Sequence, residues 1–178
     1  MKLKISAVIM LLVAAFLVAC SDDGTNEESA SKKETTDIKQ LVQDYSVGEI
    51  TDQSASITSQ ELIVTDADNS ETIYDLPKDE FFVSIAPFIE QTHPCTNHSL
   101  TGCQGEMVEK DFDVLIEDTD GNVIVDKTVT SQKNGFFDLW LPRDKTYRVV
   151  ITHDGKQVES EISTFENDGT CITTMQLT

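Results

Sequence analysis

Asp111-Phe112-Asp113-Val114-Leu115-Ile116-Glu117-Asp118-Thr119-Asp120-Gly121-Asn122-Val123-Ile124-Val125-Asp126-Lys127-Thr128-Val129-Thr130 is the stretch that decides how this chain folds. Phe112, Val114 and Ile116 alternate with Asp113, Leu115 and Glu117. A period of two puts one set of side chains on a core face and the other toward water. Asp118 to Asn122 are turn formers, and Asp120-Gly121 is a pair that tight hairpin turns favour. Residues 123–130, rich in Val and Thr, return as the partner strand. The stretch therefore predicts an antiparallel hairpin.

The same signature recurs on both sides. Downstream, Asn134-Gly135 opens a strand over 136–141, and Pro142-Arg143-Asp144 turns it. Tyr147, Val149 and Ile151 alternate up to a second hairpin turn at Asp154-Gly155, from which Val158 and Ile162 return. A last strand is expected over 171–177, with Cys171, Thr173, Met175 and Leu177 on one face. Upstream, Phe81, Val83 and Ile85 alternate before Pro87. Strands are expected over 57–65 and 72–76, joined by the turn-rich Asp66-Ala67-Asp68-Asn69-Ser70. Before them, Ile38, Leu41, Val42 and Tyr45 share one helical face, with Thr36-Asp37 as the cap and Gly48 as the stop. About seven or eight short strands with frequent turns predict a mainly β fold, an antiparallel β-sandwich or barrel-like domain. That β-rich domain is expected over 76–178, and a short N-terminal helix and hairpin over 36–75, a candidate dimerisation element.

The first nineteen residues read as a signal. Lys2 and Lys4 precede an apolar run over 5–19, which is too short for a comfortable membrane span. The run ends in Leu17-Val18-Ala19-Cys20, followed by Ser21-Asp22-Asp23-Gly24. A signal that ends in a small residue and a cysteine resembles a bacterial lipoprotein lipobox. The resemblance implies cleavage before Cys20, acylation of Cys20 and anchoring at an extracytoplasmic membrane surface, on the cell surface or the periplasmic face. Residues 20–35 carry no hydrophobic periodicity and read as a disordered tether.

With 13 Lys+Arg against 32 Asp+Glu, the 178-residue chain has a formal charge of -19. That balance excludes a nucleic-acid partner, which needs a basic stripe, and excludes electrostatic docking on anionic lipid. Asp118-Thr119-Asp120-Gly121 partly mimics a calcium loop but lacks the downstream bidentate Glu. No Ser-His-Asp order, nucleotide loop or catalytic carboxylate pair is present to suggest a hydrolase or kinase. Beyond Cys20, the cysteines number three: Cys95, Cys103 and Cys171. Exported cysteines normally pair, so an odd one implies a reactive thiol, an intermolecular bridge or a metal ligand.

The chemistry concentrates in the loop His93-Pro94-Cys95-Thr96-Asn97-His98-Ser99-Leu100-Thr101-Gly102-Cys103-Gln104-Gly105-Glu106. Thiolate and imidazole together suit copper or zinc. The spacing fits neither a two-cysteine, two-histidine zinc finger nor a blue-copper ligand string. A structural disulfide, Cys95–Cys171 or Cys95–Cys103, is the plain alternative.

This loop resembles that of the CueP-type copper-binding proteins of the bacterial cell envelope. So do residues 79–87, Leu139-Trp140-Leu141-Pro142-Arg143-Asp144-Lys145 and Thr170-Cys171-Ile172-Thr173-Thr174-Met175-Gln176-Leu177, and the resemblance spans essentially everything after Asp37. It implies Cu(I) held by the thiolates of Cys95, Cys103 and Cys171. It also implies thiol-dependent reduction of Cu(II), a role in copper tolerance, transfer of copper to an envelope enzyme and a homodimer. Within that set, Cys103, beside Gly102 and Gly105, is the expected redox thiol, with Cys95 and Cys171 its ligating or disulfide partners. His98 is an additional candidate ligand or proton acceptor. His93 is expected only to fix the loop, and His153 to be structural. Met107, Met175 and Trp140 are expected in packing. The competing readings are a surface-anchored β-sandwich interaction module with a structural disulfide, and a zinc-binding protein.

Overall fold

The computed structural model describes residues 31–33 and 37–178. The expected signal, the Cys20 lipobox and most of the expected tether lie outside the described residues. Within the tether stretch, β1 (Ser31–Lys33) runs parallel to β4. No helix among the described residues is long and apolar enough to cross a membrane.

The fold is mainly β, with one short helix. Helix α1 (Ile38–Ser46) is capped by Asp37, whose side chain accepts from the Gln40 N–H, and ends before Gly48 at φ +77°. Its apolar stripe buries Val42 and Tyr45. The strands β2 (Ser54–Ile57), β3 (Glu61–Thr65) and β4 (Glu71–Asp75) follow, with β6 (His98–Ser99) on the far edge of β2. The expected single strand over 57–65 is thus two strands. The chain folds back at Thr58, whose Oγ1 accepts the N–H groups of Gln60 and Glu61. A hydroxyl-anchored turn of this kind interrupts a β-prone run without glycine or proline.

The expected hairpin over 111–130 is present: β7 (Asp111–Asp118) pairs antiparallel with β8 (Val123–Thr130). With β10 (Thr146–His153) and β11 (Lys156–Ser163) it forms an open four-stranded sheet, ordered β11-β10-β7-β8. A third sheet holds β5 (Glu80–Ile85) between β9 (Phe137–Pro142) and β12 (Cys171–Ile172). Only two residues of the expected last strand make a ladder. Beyond them the chain stays extended, Gln176 bridges to Phe88, and burial still alternates through Thr173, Met175 and Leu177. No sheet among the described residues closes into a barrel.

The central strand β5 explains the layering. Five of its six residues are buried, so both of its faces are covered. Phe81, Val83 and Ile85 face the four-stranded sheet and join Phe112, Val114, Ile116, Tyr147, Val149 and Ile151 in the main core. Phe82 faces the other way, into a second core with Val42, Tyr45, Ile57, Leu62 and Leu100. Trp140 packs edge-on against Phe82 at 5.3 Å, as expected of a packing residue. Met107 and Met175 are buried in the main core, and His153 bonds to the Asp111 carbonyl at 2.7 Å. Beyond Phe82 on the second face come Ser84 and Ala86, where the cysteines gather.

Candidate metal centre

Two sheet edges meet at one end of the molecule, and each carries part of the site. On the N-terminal sheet, β6 brings His98 opposite Ile57. On the central sheet, β12 brings Cys171 opposite Ser84. Thr170 joins the two: its hydroxyl accepts the His98 N–H at 2.9 Å and donates to the Ile57 carbonyl at 2.6 Å. Its own carbonyl accepts from Ser84 N–H at 2.8 Å. Thr170 is fully buried, so each of these bonds would leave an unpaired polar group if lost.

The loop between β5 and β7 then lays its thiols over the joint. The Cys171 N–H donates to the Thr96 carbonyl at 3.0 Å, which sets Cys95 against the last strand. Cys95 and Cys171 are disulfide-bonded, with Cα atoms 5.7 Å apart and 76 residues between them in sequence. Cys103 closes a turn after β6, its N–H donating to the Ser99 carbonyl at 3.0 Å. It is the free cysteine of the described residues, and its Sγ lies 3.6 Å from that of Cys95. All three expected thiols are therefore brought together. Ala86 and Phe136 form their apolar floor, with Cys171 buried among them and Cys95 and Cys103 packed against it.

His98 also belongs to the cluster. Its Nδ1 lies 3.5 Å from Cys171 Sγ, and its ring rests against Phe136 at 4.5 Å between centroids. The side chain is fully buried and Nε2 has no hydrogen-bond partner. Burial pushes its pKa down to about 4; the Asp138 carboxylate opposes the shift and His93 adds to it. A neutral imidazole beside a thiol can ligate a metal or accept a proton. His93 does more than fix the loop: its ring lies 6.2 Å from Phe136, and one of its nitrogens lies within 4.8 Å of both Cys95 and Cys103 sulfurs. The ligand atoms of His98, Cys103 and Cys171 lie within the same 4.8 Å of one another.

Two features of the site have no clear motif in the sequence. One oxygen of Glu106 accepts the N–H groups of Ile89, Glu90 and Gln91 at 2.8, 3.0 and 3.2 Å, tying the two ends of the loop together. Desolvation would raise its carboxyl pKa, but the three donors outweigh it and hold the pKa below the ordinary range. The second feature is a backbone crossing. Gly135, at φ +78°, lies so close to Gly105 that a Cβ there would meet the Gly105 carbonyl oxygen at 2.6 Å. The Asn134-Gly135 turn signal marks one side of this crossing; the residue it presents to the site, Phe136, carries no signal of its own.

The comparisons agree with this geometry. Residues 37–176 match the family described as periplasmic copper-binding protein CueP. A crystal structure of S.CueP aligns with a TM-score of 0.75 and 39% sequence identity, over 79% of this chain and 88% of that one. No curated protein matches. The match covers every described cysteine and both clustered histidines, and the chain belongs to the CueP family of periplasmic copper-binding proteins.

Proposed function

We propose that this protein is a copper-binding protein of the cell envelope that, with Cys95 and Cys171 reduced, holds Cu(I) through the thiolates of Cys95, Cys103 and Cys171. The observation that carries this reading is the convergence of all three sulfurs on one apolar floor, with the Cys103 and Cys95 sulfurs 3.6 Å apart. Membership of a periplasmic copper-binding family supports copper as the ligand and an extracytoplasmic location. Soft thiolates suit a low-coordinate Cu(I) ion. His98 stands beside Cys171 as a further ligand or as acceptor of its proton.

The same cysteines can reduce Cu(II). Oxidation of the Cys95 and Cys171 thiols forms one S–S bond, releases two protons and passes two electrons to two Cu(II) ions, giving two Cu(I). Cys103 is left as a thiol beside the new bond, able to retain Cu(I) or to exchange with the disulfide. Acylation at Cys20 would hold this chemistry at the membrane surface, as a homodimer that hands copper to an acceptor enzyme. Mass spectrometry of the membrane-extracted protein tests the acylation.

Anaerobic titration of the reduced protein with Cu(I), under Zn(II) competition, tests the site. One tightly bound Cu(I), with three sulfur neighbours in its X-ray absorption spectrum, is expected. Unchanged Cu(I) affinity in Cys103→Ser would overturn the three-thiolate assignment.

A further inference from the structure

A cleft of about 350 Å³ lies between the C-terminal end of α1 and the stretch that follows β6. Three segments line it: the last turn of α1 with Tyr45 and Ser46, the stretch after β6 with Leu100 and Gln104, and the turn before β9 with Lys133 and Asn134. Ser46 and Asn134 are only 5% and 7% exposed, yet Ser46 Oγ and Asn134 Nδ2 have no hydrogen-bond partner. Asn134 uses its Oδ1 to accept the Phe136 N–H at 3.0 Å, which leaves its NH₂ group free to donate. Buried polar groups are normally paired, so two unpaired ones on the walls of one cleft point to a ligand that completes them.

The lining also has a sign. The chain carries a formal charge of -19, and the clefts beside Asp75, Asp111 and Glu106 are all lined by carboxylates. No Asp or Glu among the described residues lines this one. Lys133 is exposed and forms no ion pair among the described residues. Its ammonium and the Asn134 amide offer donors that suit a carboxylate. The end of α1 asks for the opposite: the last carbonyls of a helix carry partial negative charge, and with the Ser46 hydroxyl they suit an N–H donor. Tyr45 and Leu100, both buried, supply an apolar wall. A carboxylate, a neighbouring N–H and an apolar side chain together are the pattern of an N-acylated amino acid or of the last residue of a peptide.

We propose that this cleft binds the carboxyl end of an acylated amino acid or peptide, with the carboxylate at Lys133 and Asn134, the amide N–H toward Ser46 and the end of α1, and an apolar side chain against Tyr45 and Leu100. The cleft is lined by no cysteine or histidine, and its occupancy does not depend on the copper reading. It adjoins the thiol loop through the backbone, since Gln104 follows Cys103 and the Gly105 N–H donates to the Asn134 carbonyl at 2.6 Å.

The mature chain, free of metal and with Cys95–Cys171 intact, is titrated with N-acetyl-L-leucine and followed by its backbone amide NMR signals. Shifts are expected around residues 45–51, 100–104 and 133–135, with a Kd on the order of 1 mM. N-acetyl-L-leucinamide, which lacks the carboxylate, should bind at least about tenfold more weakly. Lys133→Gln should weaken N-acetyl-L-leucine about threefold. Ser46→Ala should weaken it about fivefold without lowering the melting temperature of the free protein, because its hydroxyl has no partner there. An acetylated tripeptide ending in leucine separates the two sources: tighter binding than N-acetyl-L-leucine assigns the cleft to peptide ends, and equal binding assigns it to the free acylated amino acid. Absence of shifts at about ten times that Kd, equal binding of the acid and the amide, or unchanged affinity in both variants would overturn the site.

Discussion

Reduction of Cys95–Cys171 should cost this domain more stability than almost any single substitution. The bond closes a loop with 76 residues of sequence separation. Chain-entropy arithmetic for a loop of that length gives about 4.5 kcal/mol at 25 °C, through restriction of the unfolded chain. The native geometry needs little help from the bond, because the Cys171 N–H already donates to the Thr96 carbonyl and β12 already pairs with β5. The loss should therefore appear as unfolded-state entropy rather than as a rearranged site. An unfolding entropy of roughly 2.1 cal/mol/K per residue, over a folded region of roughly 140 residues, gives about 0.3 kcal/mol/K. The melting temperature should then fall by about 15 °C on reduction. Cu(I) bound at a free concentration a thousand times its Kd should return about 4 kcal/mol and most of that shift.

The assay is calorimetry on three samples of the mature chain: oxidised, reduced, and reduced with one equivalent of buffered Cu(I). Far-UV circular dichroism checks that the reduced form is folded at 25 °C. A reduced form that melts within about 3 °C of the oxidised form would refute the entropic account of the bond. A reduced form whose melting point ignores Cu(I) would refute the claim that the same sulfurs form the copper site.

Three further outcomes follow from the same geometry. Thr170→Val keeps the shape of the joint but leaves the His98 N–H and the Ile57 carbonyl without their hydroxyl partner, and urea unfolding should show a loss of about 2 kcal/mol. Gly135→Ala places a Cβ against the Gly105 carbonyl at a backbone φ of +78°, so it should lose at least about 1 kcal/mol and weaken Cu(I) binding through Cys103, read by chelator competition. His98 titrates near 4 when folded and near 6.5 when unfolded, so the unfolded chain binds the extra proton in between. Stability should fall as pH drops through that window, by about 3 kcal/mol, and urea titrations at pH 7 and pH 4 should show His98→Gln losing that part of the dependence.

Much of the fold is legible because alternation is a physical requirement of a strand with one buried face. Phe112, Val114 and Ile116, and Tyr147, Val149 and Ile151, are all buried in the main core. The break inside 57–65 is hidden, because the turn rests on the Thr58 hydroxyl and leaves no glycine or proline behind. The short ladder after Cys171 is hidden for a different reason: burial alternates to Leu177 whether or not the backbone is paired. The loop residues announce thiol and imidazole chemistry, but their polar composition conceals that His98 is buried and leaves the loop to pair with β2 in a two-residue strand. Three cysteines permit three pairings, and spacing cannot choose among them. The choice is made by the Thr96 carbonyl and by the parallel pairing of β12 with β5, both long-range contacts.

The placement of the site at a joint between sheets ties its redox state to the fold. Cys95 comes from a loop, Cys171 from the edge of the central sheet, and His98 from the edge of the N-terminal sheet, with Thr170 bonded to both edges. Folding therefore presents the two thiols to each other across a long stretch of chain. Whatever stability the disulfide gives the fold, the fold gives back to the disulfide, since the two are legs of one thermodynamic cycle. A stabilisation of about 4.5 kcal/mol for the oxidised fold is equally a bias of about 4.5 kcal/mol toward oxidation of Cys95 and Cys171. Under the proposed reduction, that bias would drive electrons onto Cu(II). The third sulfur, Cys103, lies outside the bond and keeps a thiol beside the site after the other two are spent. A single structural disulfide would need only two cysteines, and a purely metal-binding trio would gain nothing from a fold that favours oxidising two of its members. A long-range pair and a free third thiol at one sheet joint are the arrangement on which the proposed reductive capture of copper rests.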